Sequence, residues 1–107
     1  MDMVDEKLQV IESIYQSLNI YRSLFIYKDM NEFYTLRNKM IRYDYTFIDY
    51  ASDGRVYEMH IDDNFDAKDF DIDSITFIFC LDNESLEVTK RLLCTKPLKN
   101  IRGIFKL

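Results

Sequence analysis

Apolar residues recur at Val4, Leu8, Ile11, Tyr15 and Leu18, with Ile14 widening the stripe and Glu6, Lys7, Gln9 and Ser13 facing away. Spacings of three and four predict an amphipathic helix over residues 5–18, and Asp5 and Glu6 in its first turn suit the helix dipole. Residues 20–28 fit two patterns. Arg22, Leu24, Phe25 and Ile26 continue the helical stripe to about residue 27, whereas their β-branched and aromatic content suits an edge strand; the helix is taken. Asp29-Met30-Asn31-Glu32 reads as a variant capping box opening a second helix over 30–41, with Phe33, Leu36 and Met40 inward. The two helices are expected to form an αα-hairpin.

Near Tyr43 the period changes from 3.6 to two. Tyr45 and Phe47 alternate with Asp44 and Thr46, Ala51-Ser52-Asp53-Gly54 carries turn chemistry, and Arg55 to Ile61 alternates again. Strands over 44–50 and 55–61 are therefore expected to pair as a hairpin. The run Ser74 to Leu81 is apolar on both sides, with Ile75, Phe77, Phe79 and Leu81 opposite Ile78 and Cys80. That two-faced pattern predicts the central strand of the sheet. Residues 84–94 are read either as a strand or as a helix capped by Asp82 or Asn83 with Ser85, Val88, Thr89 and Leu92 inward; local composition and the stop at Thr95-Lys96-Pro97 favour the helix. A short last strand lies within 98–107, interrupted at Gly103. The expected fold class is α+β, an N-terminal αα-hairpin packed on a small, mainly antiparallel sheet. A third helix near the C-terminus follows if the helical reading of 84–94 holds.

A length of 107 residues suits one domain over 1–107, and an apolar fraction of 48% argues against disorder. No apolar run approaches the roughly 20 residues of a membrane span. Two cysteines with no leader-like segment read as reduced thiols in a cytoplasmic protein. Net charge is -5, which disfavours non-specific nucleic-acid binding. The charge is segregated: residues 62–73 hold Asp62, Asp63, Asp66, Asp69, Asp71 and Asp73 against Lys68, while residues 90–107 hold six bases and no acid.

The acidic segment tests the metal chemistries first. Asp62, Asn64, Asp66 and Asp73 match positions 1, 3, 5 and 12 of an EF-hand loop, but Ala67 replaces the glycine of the sharp turn and Asp73 the bidentate Glu. A divalent-metal hydrolase or nuclease built on Asp49, Asp53, Asp66 and Lys68 is the alternative from the enzyme class. His60 is the one histidine, and no Cys stands near it to complete a zinc set. With two glycines in the chain, a Gly-rich phosphate loop is nearly excluded. No cofactor and no metal are therefore expected.

Protein binding remains. Eight tyrosines exceed what one core uses, and Tyr suits interfaces that need apolar area with a polar tip. A line of carboxylates can stand in for phosphates before a basic groove. The expectation is a small acidic regulator or inhibitor without catalytic activity, contacting a protein partner, in its sharpest form a nucleic-acid-binding enzyme. Asp62, Asp63, Asp66, Asp69 and Asp71, with Tyr43, Tyr45 and Tyr50, form the expected partner-binding surface. In size, acidity and lack of catalytic apparatus the chain resembles phage-encoded anti-CRISPR and anti-restriction proteins, a likeness of class carried by no motif. Neither direct nucleic-acid nor membrane contact is expected. An edge strand of the 44–61 hairpin is expected to support a homodimer.

Overall fold

The segment expected to continue the first helix to about residue 27 contains a buried strand instead. Ser23–Tyr27 forms strand β1, and all five residues are buried. A computed structural model describes residues 3–17, 22–42, 56–62, 75–95 and 99–107. Within them, helix α1 (Met3–Ser17) precedes β1, and helix α2 (Met30–Arg42) leads to strand β2 (Val56–His60). Strand β3 (Phe77–Cys80), helix α3 (Asn83–Thr95) and strand β4 (Gly103–Lys106) follow.

The four strands make one sheet in the order β2-β1-β3-β4, and every pairing is parallel. This overturns the expected mainly antiparallel sheet. The physical reason lies in the connections: parallel neighbours need a crossover of a dozen or more residues, which the thirteen-residue α2 and α3 supply. Strand 55–61 exists as β2, yet it pairs with β1 in parallel, Leu24 beside Tyr57 and Tyr27 beside His60. The expected strand 44–50 and its turn lie outside the described residues.

The αα-hairpin is likewise corrected, because a buried strand separates α1 from α2. β1 is interior, not an edge strand, with β2 on one side and β3 on the other. Strands buried on both faces lose the polar alternation that identifies half-exposed ones, which is why Leu24-Phe25-Ile26-Tyr27 was ambiguous. The two helices still pack on each other.

Crossovers β1-α2-β2 and β3-α3-β4 run in opposite directions across the sheet. With one handedness they must cover opposite faces, and the two cores show this. On one face Leu8 and Ile11 of α1 and Phe33, Leu36 and Met40 of α2 pack against Phe25, Tyr27, Phe77 and Phe79. On the other, Leu86, Val88, Leu92 and Leu93 of α3 lie over Leu24, Ile26, Met59, Ile78 and Cys80.

Register gives the first face its order. Phe25, Phe79 and Phe105 are lateral neighbours on three successive strands, and their rings stack at 4.9 and 5.5 Å between centroids. Such pairs add about 0.5–1.5 kcal/mol each beyond area burial. Gly103 opens β4 where a Cβ would stand 3.2 Å from the rings of Phe77 and Phe105, so a side chain there would crowd the layer.

Helix α3 confirms the helical reading of 84–94 and settles its cap. Asp82 Oδ1 accepts from the Ser85 N–H at 2.7 Å and from the Ser85 hydroxyl at 2.8 Å. Ser85 and Thr89 face the sheet, fully buried. Thr89 gives its one hydroxyl proton to the Ser85 carbonyl at 2.8 Å, so in the 3.3 Å contact with Cys80 the thiol is the donor. No helix among the described residues is long and apolar enough to cross a membrane.

Candidate functional site at the carboxyl edge of the sheet

From β1 the chain crosses towards β2, and from β3 towards β4, so the strand order reverses between β1 and β3. In open parallel sheets the crossover helices leave a crevice at that point, outside the carboxyl ends of the strands. Here it measures 640 Å³ and is bounded by Lys28 and Asp29 after β1, Leu81 to Glu84 after β3, Lys106 and Leu107 of the β4 end, and Lys7 and Glu32 from α1 and α2. That volume lies within the range of small-molecule sites.

Backbone bonds fix the floor. The Leu81 N–H donates to the Ile26 carbonyl at 3.1 Å, and the Leu107 N–H to the Cys80 carbonyl at 2.8 Å. Asp82 ties the two sides of the reversal together, since its Oδ2 accepts from the Lys28 N–H at 3.1 Å while Oδ1 caps α3. Burial pushes the Asp82 carboxyl up, but the Ser85 and Lys28 hydrogen bonds and the nearby Lys7 charge outweigh it and hold the group below its ordinary value. Asp29 does the same for α2, its Oδ1 accepting from the Asn31 N–H at 2.9 Å and the Glu32 N–H at 3.2 Å. Glu32 does not complete the capping box as expected. It turns to Lys7 at 2.6 Å.

Lys7 is the buried cation of the site, with only 8% of its side chain exposed. Its ammonium also donates to the Leu81 carbonyl, joining α1 to the end of β3. Across the mouth, Lys28 and Glu84 form an ion pair at 2.6 Å with both side chains more than half exposed. The Glu84 carboxylate holds the Lys28 ammonium above its usual value. Lys106 is exposed and has no ion-pair partner among the described residues.

Both helix N-termini that reach the crevice are thus occupied by the chain's own carboxylates. That separates the site from a phosphate cradle, in which free N–H groups face the ligand. Among the described residues of the lining, the Lys106 ammonium, the Asn83 side chain and the Asp29 Oδ2, which the cap does not use, stay open to a ligand.

His60 stands one strand away, at the end of β2. Its Nε2 lies 2.9 Å from the Lys28 carbonyl and its Nδ1 accepts from the Asp62 N–H at 3.2 Å. One neutral tautomer, protonated at Nε2, satisfies both contacts, so the imidazole acts as a brace between the β1 and β2 ends.

Of the partner-binding surface expected from sequence, the structure describes Asp62 alone, in the turn after β2 with its side chain 85% exposed. It lines a second hollow of 290 Å³ with Ile61, Asn83, Glu84, Glu87, Val88 and Arg91. Asp63, Asp66, Asp69, Asp71, Tyr43, Tyr45 and Tyr50 lie outside the described residues, as do Asp49, Asp53 and Lys68 of the hydrolase alternative. Among the described residues no three His, Cys, Asp or Glu side chains converge so as to hold a metal ion.

Lys7, Lys28, Glu32, Glu84 and Lys106 did not emerge from the sequence as site residues. A signal for them exists in the charged groups directly after each apolar run, Lys28-Asp29 and Asp82-Asn83-Glu84. It becomes readable only when both runs are taken as parallel strands. Comparison of the chain with protein-family models, with curated proteins and with solved structures finds no match.

Proposed function

We propose that this protein is a binding domain that takes a small polar molecule bearing an anionic group into the crevice at the β1/β3 strand-order reversal. The observation that carries this reading is a 640 Å³ opening at the position where parallel sheets seat ligands, with the Lys106 ammonium, unpaired among the described residues, in its wall. Binding is favoured over catalysis because the candidate reactive groups are already engaged. Lys7 is paired with Glu32, Asp82 caps α3, His60 braces two strand ends, and the Cys80 thiol is buried under the opposite face.

Backbone amide spectra recorded with a carboxylic acid, a phosphate monoester and a zwitterionic amino acid at millimolar concentration test this. At least one should shift the Lys28, Asp29, Asn83 and Lys106 amides together, and Lys106→Glu should weaken that ligand by at least about tenfold. Absence of any joint shift in this set of amides, with all three probes, would refute the reading.

A second reading keeps the inhibitor class, with Asp62 and the acidic segment offered to a basic protein surface. It is supported by the 85% exposure of the Asp62 side chain beside the crevice. Its test is the triple change of Asp63, Asp66 and Asp69 to Asn, which should leave stability nearly unchanged and weaken capture of a protein partner, more so as salt is lowered. Equal capture by both forms at all salt concentrations would remove it.

A further inference from the structure

We propose that the outer edge of β4 accepts an acidic extended segment of another protein as an added strand of the sheet. β4 ends the strand order and is paired on one side by β3. Because the Leu107 N–H points inward to the Cys80 carbonyl, alternation along a strand directs the N–H groups of Ile104 and Lys106 outward. Among the described residues, nothing pairs with that side.

The side chains match this open backbone. Ile104 and Lys106 alternate with Gly103 and Phe105 along β4 and share one face; Arg102 stands just before the strand, its N–H donating to the Thr76 carbonyl at 2.7 Å, and the side chains of all three are exposed. Ile104, at 37% exposure, is one of the few large apolar side chains left open among the described residues. A cation, an apolar residue and a second cation at spacing two is the complement of a strand reading acid, β-branched, acid.

A second copy of this chain is the competing occupant, and the charges oppose it. Antiparallel pairing about a two-fold axis at Ile104 sets Arg102 of one copy opposite Lys106 of the other, twice. Parallel pairing sets like residue against like. Basic side chains on an edge are a standard guard against self-pairing, and the same charges attract an acidic strand. A polynucleotide would answer the charge but not the row of outward backbone donors and acceptors.

The test uses the full chain and a fluorescein-labelled peptide of alternating Glu and Val, read by anisotropy. Saturable binding is expected, with the Ile104 and Lys106 amides gaining hydrogen-exchange protection in the complex. Ile104→Pro removes an outward N–H that β3 does not use, and it should abolish binding. Arg102→Glu should weaken binding at least about tenfold and supplies an independent variant should Ile104→Pro fail to fold. Neither residue lines the crevice, so both outcomes are separable from the small-ligand reading.

Several results would overturn the proposal: no saturable binding at millimolar peptide; equal binding of the same peptide interrupted by Pro, which would mean charge alone; or a dimer of the chain that Arg102→Glu abolishes. Displacement by a single-stranded oligonucleotide that binds Ile104→Pro as tightly as the parent would overturn it too.

Discussion

Replacing Asp82 by Ala removes three hydrogen bonds at the joint where β1, β3 and α3 meet: two from Ser85 and one from the Lys28 N–H. Loss of a helix N-cap costs about 0.5–2 kcal/mol. The Ser85 hydroxyl, in a fully buried residue, loses its acceptor, and stranding such a group costs about 1–3 kcal/mol. The Lys28 N–H sits at an exposed residue, where water replaces the carboxylate at little cost. Together these give about 1.5–5 kcal/mol, a large share of the stability of a small domain. With a urea slope of about 1.5 kcal/mol per M, the denaturation midpoint falls by about 1–3.3 M.

Asp82→Asn separates charge from geometry. The folded Asp82 carboxyl lies below its ordinary value, whereas the unfolded one titrates near about 3.9. A depressed folded value means the carboxylate stabilises the fold above the unfolded value and loses that contribution as pH falls through the folded one. The gap between parent and Asp82→Asn should therefore be full at neutral pH and shrink below about pH 4. Urea midpoints at several pH values measure it. A gap that stays constant into acid, or an Asp82→Ala midpoint within about 0.3 M of the parent, would refute the role given to this carboxylate.

Thiol labelling of the native protein should modify Cys94, which is exposed, and spare Cys80 until denaturant is added, because burial pushes the Cys80 thiol up and hides it; mass spectrometry counts the adducts. Phe77→Asp should be among the most damaging single changes, combining loss of a ring stacked on Phe105 with burial of an unpaired carboxylate, about 3–5 kcal/mol for the ring alone; an unchanged denaturation midpoint would contradict it. Gly103→Ala should destabilise by about 1 kcal/mol, as crowding of Phe77 and Phe105 outweighs the lower entropy of the unfolded chain.

The helices were legible because their signals are local. Stripes at spacings of three and four marked α1 and α2, Asp29 was recognised as a cap, and Ser85, Val88, Thr89 and Leu92 were named as the inward positions of α3. The two-faced apolar run marked β3 as interior for the same reason that it is now seen buried throughout. Pairing sense is a different kind of information. It is set by what lies between two strands and by which apolar runs are strands at all, and β1 carried no alternation to separate it from a helix. Reading Leu24-Phe25-Ile26-Tyr27 as a continuation of α1 removed the strand with which 55–61 in fact pairs. The nearest preceding apolar alternation, 44–50, then supplied a hairpin partner.

That single change of sense also relocates the candidate site. In a parallel sheet the residues following every strand gather on one edge, with neighbouring strands about 4.8 Å apart. Lys28-Asp29, Ile61-Asp62, Asp82-Asn83 and the Lys106-Leu107 end, scattered over the sequence, thereby become one margin. Asp29 and Asp82 then serve two purposes from one position, capping a helix and lining the crevice. In an antiparallel sheet alternate strand ends point the opposite way, and the same charged groups would divide between two edges with no common cavity. The acidic run beginning at Asp62 drew the eye because its charge is dense along the sequence. The crevice collects seven charged side chains of both signs from three helices and three strand ends, a density that exists only in three dimensions. Asp62 belongs to both descriptions: it begins the acidic run, and with Asn83 and Glu84 it lines the hollow beside the crevice.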